Sequence, residues 1–278
     1  MTLTTRDHAL PRHDGVAVYA VVSRRSGGVS VGIDLNPNHA CNWGCVYCQV
    51  EGLQRGGPPD VDLGAFERLL DDEVARVTSP EFLAREVELP EHRRLTSIAF
   101  SGNGEPTTSA QFGEAVEAAR RVLERRAWVG TVPLVLITNG SQLDKPRVQQ
   151  AVARLGEVGQ VWFKVDRATD AGLREVNSVS MAIAAHRERL VQCARLAPTW
   201  VQTCCFAIDG APMNDTERAA YVELINGLVR DGVPVKGVRL YGLARESHQP
   251  MAPRLSALPT AWLQALAADL RGIDVQVS

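Results

Sequence analysis

Long apolar runs are missing from this chain. No stretch of its 278 residues approaches the ~18 apolar residues that suggest a membrane span. The opening residues, MTLTTRDHALPRHDG, hold no apolar segment of the kind a secretory signal carries. A dominant charge is missing too: 30 Lys and Arg stand against 32 Asp and Glu, a formal net charge of −2. Composition therefore offers no broad electropositive surface for nucleic acid, though a local basic patch stays open. Internal repeats, low-complexity tracts, a GxGxxG turn and a P-loop lysine motif are also absent. Cysteine is scarce, with 6 residues. In a long chain without a secretory leader, a disulfide framework is a poor reading and metal binding or catalysis a better one. A reducing cytoplasm is the expected compartment.

What is present is punctuation. VAVYAVV and VSVGIDL flank SRRSGG and read as a hairpin or two adjoining strands. EGLQRGGPPD must be a loop. Phe66, Leu69, Leu70, Val74 and Val77 recur at helical spacing, which predicts a helix over residues 62–77. Strand and helix patterns then alternate. LTSIAFSG, VPLVLITNG, GQVWFKVD, TWVQTCCFAIDG and VKGVRLYGLA read as strands, and residues 109–126, 145–155, 170–176, 182–196, 215–231 and 260–271 as helices. With VSVGIDL this makes six strands in strand–helix alternation, hence parallel strands with helices outside. Periodicity alone leaves a partial barrel and a doubly wound sheet both open. In either, chemistry gathers at the C-terminal ends of the strands, where Asp34, SGNGEPT, TNG, KVD and GLARES stand.

Three of the cysteines fall within eight residues, in CNWGCVYC from Cys41 to Cys48. Zinc would need a fourth ligand, which His39 could supply. A [4Fe-4S] cluster held by three thiolates would keep one iron open for a substrate or cofactor. Three buried thiols this close on a loop have no packing rationale. Lys164 and Asp166 share one strand face, opposite Val161, Phe163 and Val165. Gln202, Cys204 and Phe206 share another, and Cys204 and Cys205 must point oppositely.

CxxxCxxC after the first strand of such a chain resembles the radical S-adenosylmethionine (SAM) superfamily. SRRSGGVSVGIDLNPNHACNWGCVYCQVEG, with SGNGEPT, LITNG, FKVD and YGLAR following in order, resembles the bacterial Fe–S oxidoreductase group related to the wyosine (wybutosine) tRNA-modifying synthases. The resemblance covers residues 22–245. It implies an α/β fold: a partial (β/α)6 TIM-type barrel of parallel strands with outer helices and a short N-terminal hairpin or extension. Residues 1–15 would form a tail and residues 16–278 the barrel domain, with the first strand and cluster loop at about 28–52.

The resemblance also implies roles. Cys41, Cys45 and Cys48 would hold a [4Fe-4S] cluster whose open iron chelates SAM. Reductive cleavage would give methionine and a 5′-deoxyadenosyl radical that abstracts hydrogen from a substrate, either a tRNA base or a small molecule or peptide. Tyr47 sits where such enzymes carry an aromatic residue near the adenine. Gly102, Gly104, Glu105 and Pro106 resemble the element that takes the methionyl amino group, with Asn103 in place of a glycine. Lys164 would neutralise the SAM carboxylate and Asp166 accept from ribose hydroxyls. Asn139, Gln202 and Leu243 are the further expected SAM contacts. Asn177 resembles the start of an Asn–Arg–Pro element, from which NSV departs. No further cysteine set suits the auxiliary cluster of the archaeal wyosine enzymes. An external one-electron donor of flavodoxin or ferredoxin type is expected. The competing reading is a non-catalytic iron–sulfur or zinc sensor or scaffold. Arg24, Arg25, Arg245 and His248 grouped on the rim would favour RNA, and a deep closed pocket a metabolite.

Overall fold

The computed structural model describes Leu3, residues 17–23 and residues 25–278. The expected tail over residues 1–15, apart from Leu3, and Arg24 lie outside the described residues. β1 (Ala17–Ser23) and β2 (Gly28–Asp34) form an antiparallel hairpin, in register from Ala17↔Asp34 to Ser23↔Gly28. β3 (Ala40–Cys41) and β4 (Gln54–Arg55) pair in parallel and close the cysteine loop at its base.

Helices and strands then alternate. α1 (Leu63–Thr78), α2 (Pro80–Glu86), β5 (Leu95–Phe100), α3 (Phe112–Arg125), β6 (Leu134–Thr138) and α4 (Pro146–Gly156) lead to β7 (Gly159–Lys164). α5 (Asp170–Asn177), α6 (Ile183–Leu196), β8 (Thr199–Ile208), α7 (Asp215–Arg230) and β9 (Val235–Gly242) follow. The chain closes with β10 (Leu255–Ala257), α8 (Thr260–Asp269) and β11 (Val275–Val277). Helix starts are set locally: Asp62 accepts from Ala65 N at 2.9 Å and Asn214 from Glu217 N at 2.9 Å, each satisfying a first-turn N–H.

The sheet runs β1-β2-β5-β6-β7-β8-β9-β11, and β2 through β9 on this path are the six expected parallel strands. β11 adds a seventh, parallel to β9, and β10 lies antiparallel on β8. The edges β1 and β11 do not pair, so the sheet is an open, partial barrel.

Side-chain alternation divides the sheet into two faces. Val29, Val31 and Ile33 of β2, Ile98 and Phe100 of β5, Leu134 and Leu136 of β6, and Val161 and Phe163 of β7 point outward. They share one core with Phe66, Leu70 and Val74 of α1 and Val116 and Leu123 of α3. The opposite face lines the lumen. There Ser30 and Ser97 hydrogen-bond at 2.8 Å, and Ala99, Val135 and Trp162 form a small apolar cluster. Among the described residues no helix is long and apolar enough to cross a membrane.

Candidate active site

A cavity of about 320 Å³ opens at the C-terminal ends of the parallel strands. Cys41, Cys45, Cys48 and Tyr47 line it from the loop after β2, and Gly102, Asn103, Gly104 and Glu105 from the turn after β5. Asn139 follows β6, Lys164 ends β7, Gln202 and Cys204 lie on β8, and Leu243 follows β9. Sequence positions as far apart as Cys41 and Leu243 thus share one wall. Two expected contacts, Pro106 and Asp166, are not on it.

The cysteine loop is bound to the protein on several sides. Gly44 N donates to Asn177 O at 3.0 Å and Val46 N to Val176 O at 2.8 Å, so the C-terminus of α5 holds its middle. Ser247 Oγ donates to Val46 O at 2.8 Å, and His248 N and Gln249 Nε2 donate to Cys48 O at 3.0 and 3.2 Å. Asn42 Nδ2 donates to Ser141 Oγ at 2.6 Å, and Asn139 Nδ2 to Asn42 Oδ1 at 3.0 Å. Arg55 donates from β4 to Asn42 O and Ser178 O. These loop-fixing residues were invisible to periodicity. Asn139, Asn177 and His248 were singled out in the sequence, but for contacts to SAM, substrate or RNA and not for holding this loop.

All six cysteines are free thiols. Burial pushes Cys41 up to about 11 and Cys45 up to about 12, and raises Cys48 as well. Trp43 N donates to Cys41 Sγ at 3.4 Å and Asn177 Nδ2 to Cys45 Sγ at 3.2 Å, hydrogen bonds that favour thiolate. One buried and two half-buried thiols around a cavity fit a group that brings its own positive charge and deprotonates them. Among the described residues no three His, Cys, Asp or Glu side chains converge closely enough for a single ion. A cuboidal cluster spreads its thiolates over separate corners and needs no such convergence. The zinc alternative is not built: His39 does not line the cavity, and its Nδ1 lies 2.8 Å from Glu51 O.

Asp166 sits beneath the wall, fully buried. Its Oδ2 accepts from Tyr47 Oη at 2.6 Å and Asn177 Nδ2 at 2.8 Å, and its Oδ1 from Cys204 N at 3.1 Å. With its oxygens taken by the protein, Asp166 acts on the site through Tyr47 and Asn177. Lys164 Nζ donates to Tyr47 Oη at 2.7 Å and stands 4.0 Å from Asp166 Oδ2. Burial works against the lysine's charge, but Asp166 and the neighbouring Cys45, Tyr241 and Cys204 outweigh it and hold Lys164 above its usual range. Tyr47 therefore faces the cavity with its ring and is fixed by its hydroxyl, its ring 5.3 Å from that of Phe206.

Glu105 is also internally satisfied. Its carboxylate accepts from Thr138 Oγ1 and Asn139 N, both at 2.6 Å, and from Thr107 Oγ1 at 2.5 Å. Burial nonetheless raises its carboxyl. The glycines of GNGEP answer to the protein around them. A Cβ on Gly102 (φ 148°) would fall 2.5 Å from Asp34 Cγ, and one on Gly104 would fall 2.2 Å from Ala40 O. Cys204 faces the cavity while Cys205 enters the main core, as alternation predicts.

Comparisons with known proteins identify the family. The family model described as the radical SAM superfamily matches residues 35–225, well over half of the chain. A protein named GTPase Obg from Brachyspira hyodysenteriae is 28% identical over 131 residues, covering 46% of this chain and 16% of that protein. A UPF0026 protein of Synechocystis sp. is 28% identical over 162 residues, covering 58% of this chain and 52% of that one. The chain thus spans about half or less of the length of these relatives. Among solved structures, one of TYW1 with a lysine-pyruvate adduct bound superposes with a TM-score of 0.56 at 15% identity, over 87% of this chain and 72% of that one. That likeness is one of fold. The chain belongs to the radical SAM superfamily, whose enzymes use a [4Fe-4S] cluster and SAM.

Proposed function

We propose that this chain holds a [4Fe-4S] cluster through Cys41, Cys45 and Cys48 and uses it with SAM to start radical chemistry on a small molecule. One observation carries the reading: three thiols, the GNGEP turn, Asn139 and Lys164 line a single cavity at the C-terminal end of a parallel sheet. When bound, the cluster and SAM supply reductive cleavage of the sulfonium to methionine and a 5′-deoxyadenosyl radical that abstracts a substrate hydrogen.

The chain's own residues orient and enclose. Lys164 presents the positive charge that a carboxylate in the cavity requires, and its bond to Tyr47 Oη fixes the ammonium. Asp166 and Asn177 hold Tyr47 and Cys45 from below. Trp43, Ile137 and Leu243 give the wall apolar surface that excludes water. An external one-electron donor of flavodoxin or ferredoxin type completes the system.

A small molecule is favoured over a tRNA base by the direction of Arg25. It turns into the cavity, where its Nη1 donates to Gln202 Oε1 at 2.7 Å, instead of standing on the rim beside His248. Electron paramagnetic resonance of the anaerobically reconstituted, dithionite-reduced protein tests the cluster assignment. The expected result is a [4Fe-4S] signal whose g-values move on adding SAM, and its loss in Cys45→Ala. A signal that SAM leaves unmoved would make the protein a sensor or scaffold.

A further inference from the structure

The barrel lumen beneath the cysteines carries more positive charge than its partners among the described residues balance. Arg25 reaches inward from the β1–β2 turn, its guanidinium 5.0 Å from the ring centres of both Trp162 and Tyr241. Arg239 reaches the same tryptophan from β9, at 4.2 Å, and Trp200 at 4.7 Å. Among the described residues neither arginine forms an ion pair: Arg25 bonds to Gln202, and Asp274 influences Arg239 without pairing with it. Burial, and then the charge of Arg25, lowers Arg239 to about 10.

Unpartnered donors surround these cations. Among the described residues Arg239 Nε and Nη1, Trp162 Nε1 and Gln202 Nε2 are buried with no hydrogen-bond partner. Gln202 is 1% exposed and lines the cavity. Because its Oε1 accepts from Arg25, its amide N–H groups are left without an acceptor among the described residues. Buried donors and cations without acceptors are costly, and an anion would relieve both.

We propose that Arg25 and Gln202 Nε2, backed by the charge of Arg239, bind an oxyanion (a carboxylate or phosphate) on a small-molecule substrate that shares the cavity with SAM. The proposal rests on the radical SAM reading. Gln202 lies two residues before Cys204 on β8, so the anionic end sits deeper in the barrel and the remainder of the substrate extends toward the cysteine rim.

Calorimetric titration of the full chain with acetate, succinate and inorganic phosphate, in chloride-free buffer, tests the site and separates carboxylate from phosphate. At least one probe is expected to bind. Arg25→Met and Gln202→Leu should each weaken it tenfold or more, Arg25→Lys less, and Arg121→Met, at a surface ion pair with Glu67, not at all. Circular dichroism checks folding, and if Arg25→Met fails to fold, Arg25→Lys and Gln202→Leu still decide. Absence of binding by every probe overturns the proposal, as do unchanged affinities in the folded variants. Loss of SAM affinity alone in those variants would reassign both residues to SAM, and competition by tRNA would reassign the site to RNA. SAM cleavage measured on the same preparations separates the two claims. Cleavage without oxyanion binding sinks this inference alone, whereas oxyanion binding without cleavage sinks the radical SAM reading on which it rests.

Discussion

Asp166 shows how much of the site is held by residues that do not face it. Replacing it with Ala would leave the Tyr47 hydroxyl, the Asn177 amide and the Cys204 N–H without their acceptor, and Lys164 without its carboxylate. Breaking a buried charge pair costs about 3–5 kcal/mol, so Asp166→Ala should lower unfolding free energy by that order in urea titrations. His186 gives a pH test. It is buried, its ring 5.5 Å from Trp43 and 5.0 Å from Phe163, and burial lowers it to about 4. The unfolded chain therefore takes up this proton first. The stability from His186 is complete above about pH 6.5 and is lost as pH falls toward 4, about 2 kcal/mol of it between pH 7 and 5. Asp34 and Glu105, raised by burial, act in the opposite direction. The test is thus a difference: His186→Gln should lose less stability than the wild type between pH 7 and 5. Equal losses would contradict the buried neutral imidazole. At this scale the sequence yielded residue types better than partners. Lys164 and Asp166 were legible as one face of a strand. That Asp166 binds Tyr47 and Asn177 was not, because those contacts span 119 and 11 positions.

The GNGEP turn and the cysteine loop form the element that matters most. Glycine suggests backbone approaching a ligand, but Gly104 is needed where this turn presses on Ala40 O, directly before the first cysteine. Gly104→Ala should cost about 1–3 kcal/mol through overpacking. It should also reduce the iron retained after reconstitution, measured per chain. A variant of wild-type stability and full iron content would show that the contact is slack. The long amphipathic helices and five-to-ten-residue strands were readable from periodicity, with ends displaced by a few residues. β11 was not readable: three residues, Val275–Val277, carry no period, and only pairing with β9 makes them a strand.

On the scale of the whole molecule, strand–helix alternation was enough to expect parallel strands and a functional rim, but not to choose between an open barrel and a doubly wound sheet. That choice depends on strand order, which long-range pairing sets. The fold brings segments near residues 41–50, 102–106, 139–141, 177–178 and 247–249 to one rim, so a ligand held there ties distant parts of the chain together. Iron removal by a chelator should consequently lower the melting midpoint and expose the loop over residues 41–50 to protease, while leaving far-UV circular dichroism nearly unchanged. Identical melting of iron-loaded and stripped protein would mean the cysteines hold nothing that supports the fold.

The central claim is that this cavity cleaves SAM. Its most direct test is 5′-deoxyadenosine, measured by mass after the anaerobically reconstituted protein is incubated with SAM and dithionite. The account predicts 5′-deoxyadenosine from the wild type and none from Cys45→Ala. A protein with an intact [4Fe-4S] cluster that leaves SAM uncleaved would contradict it.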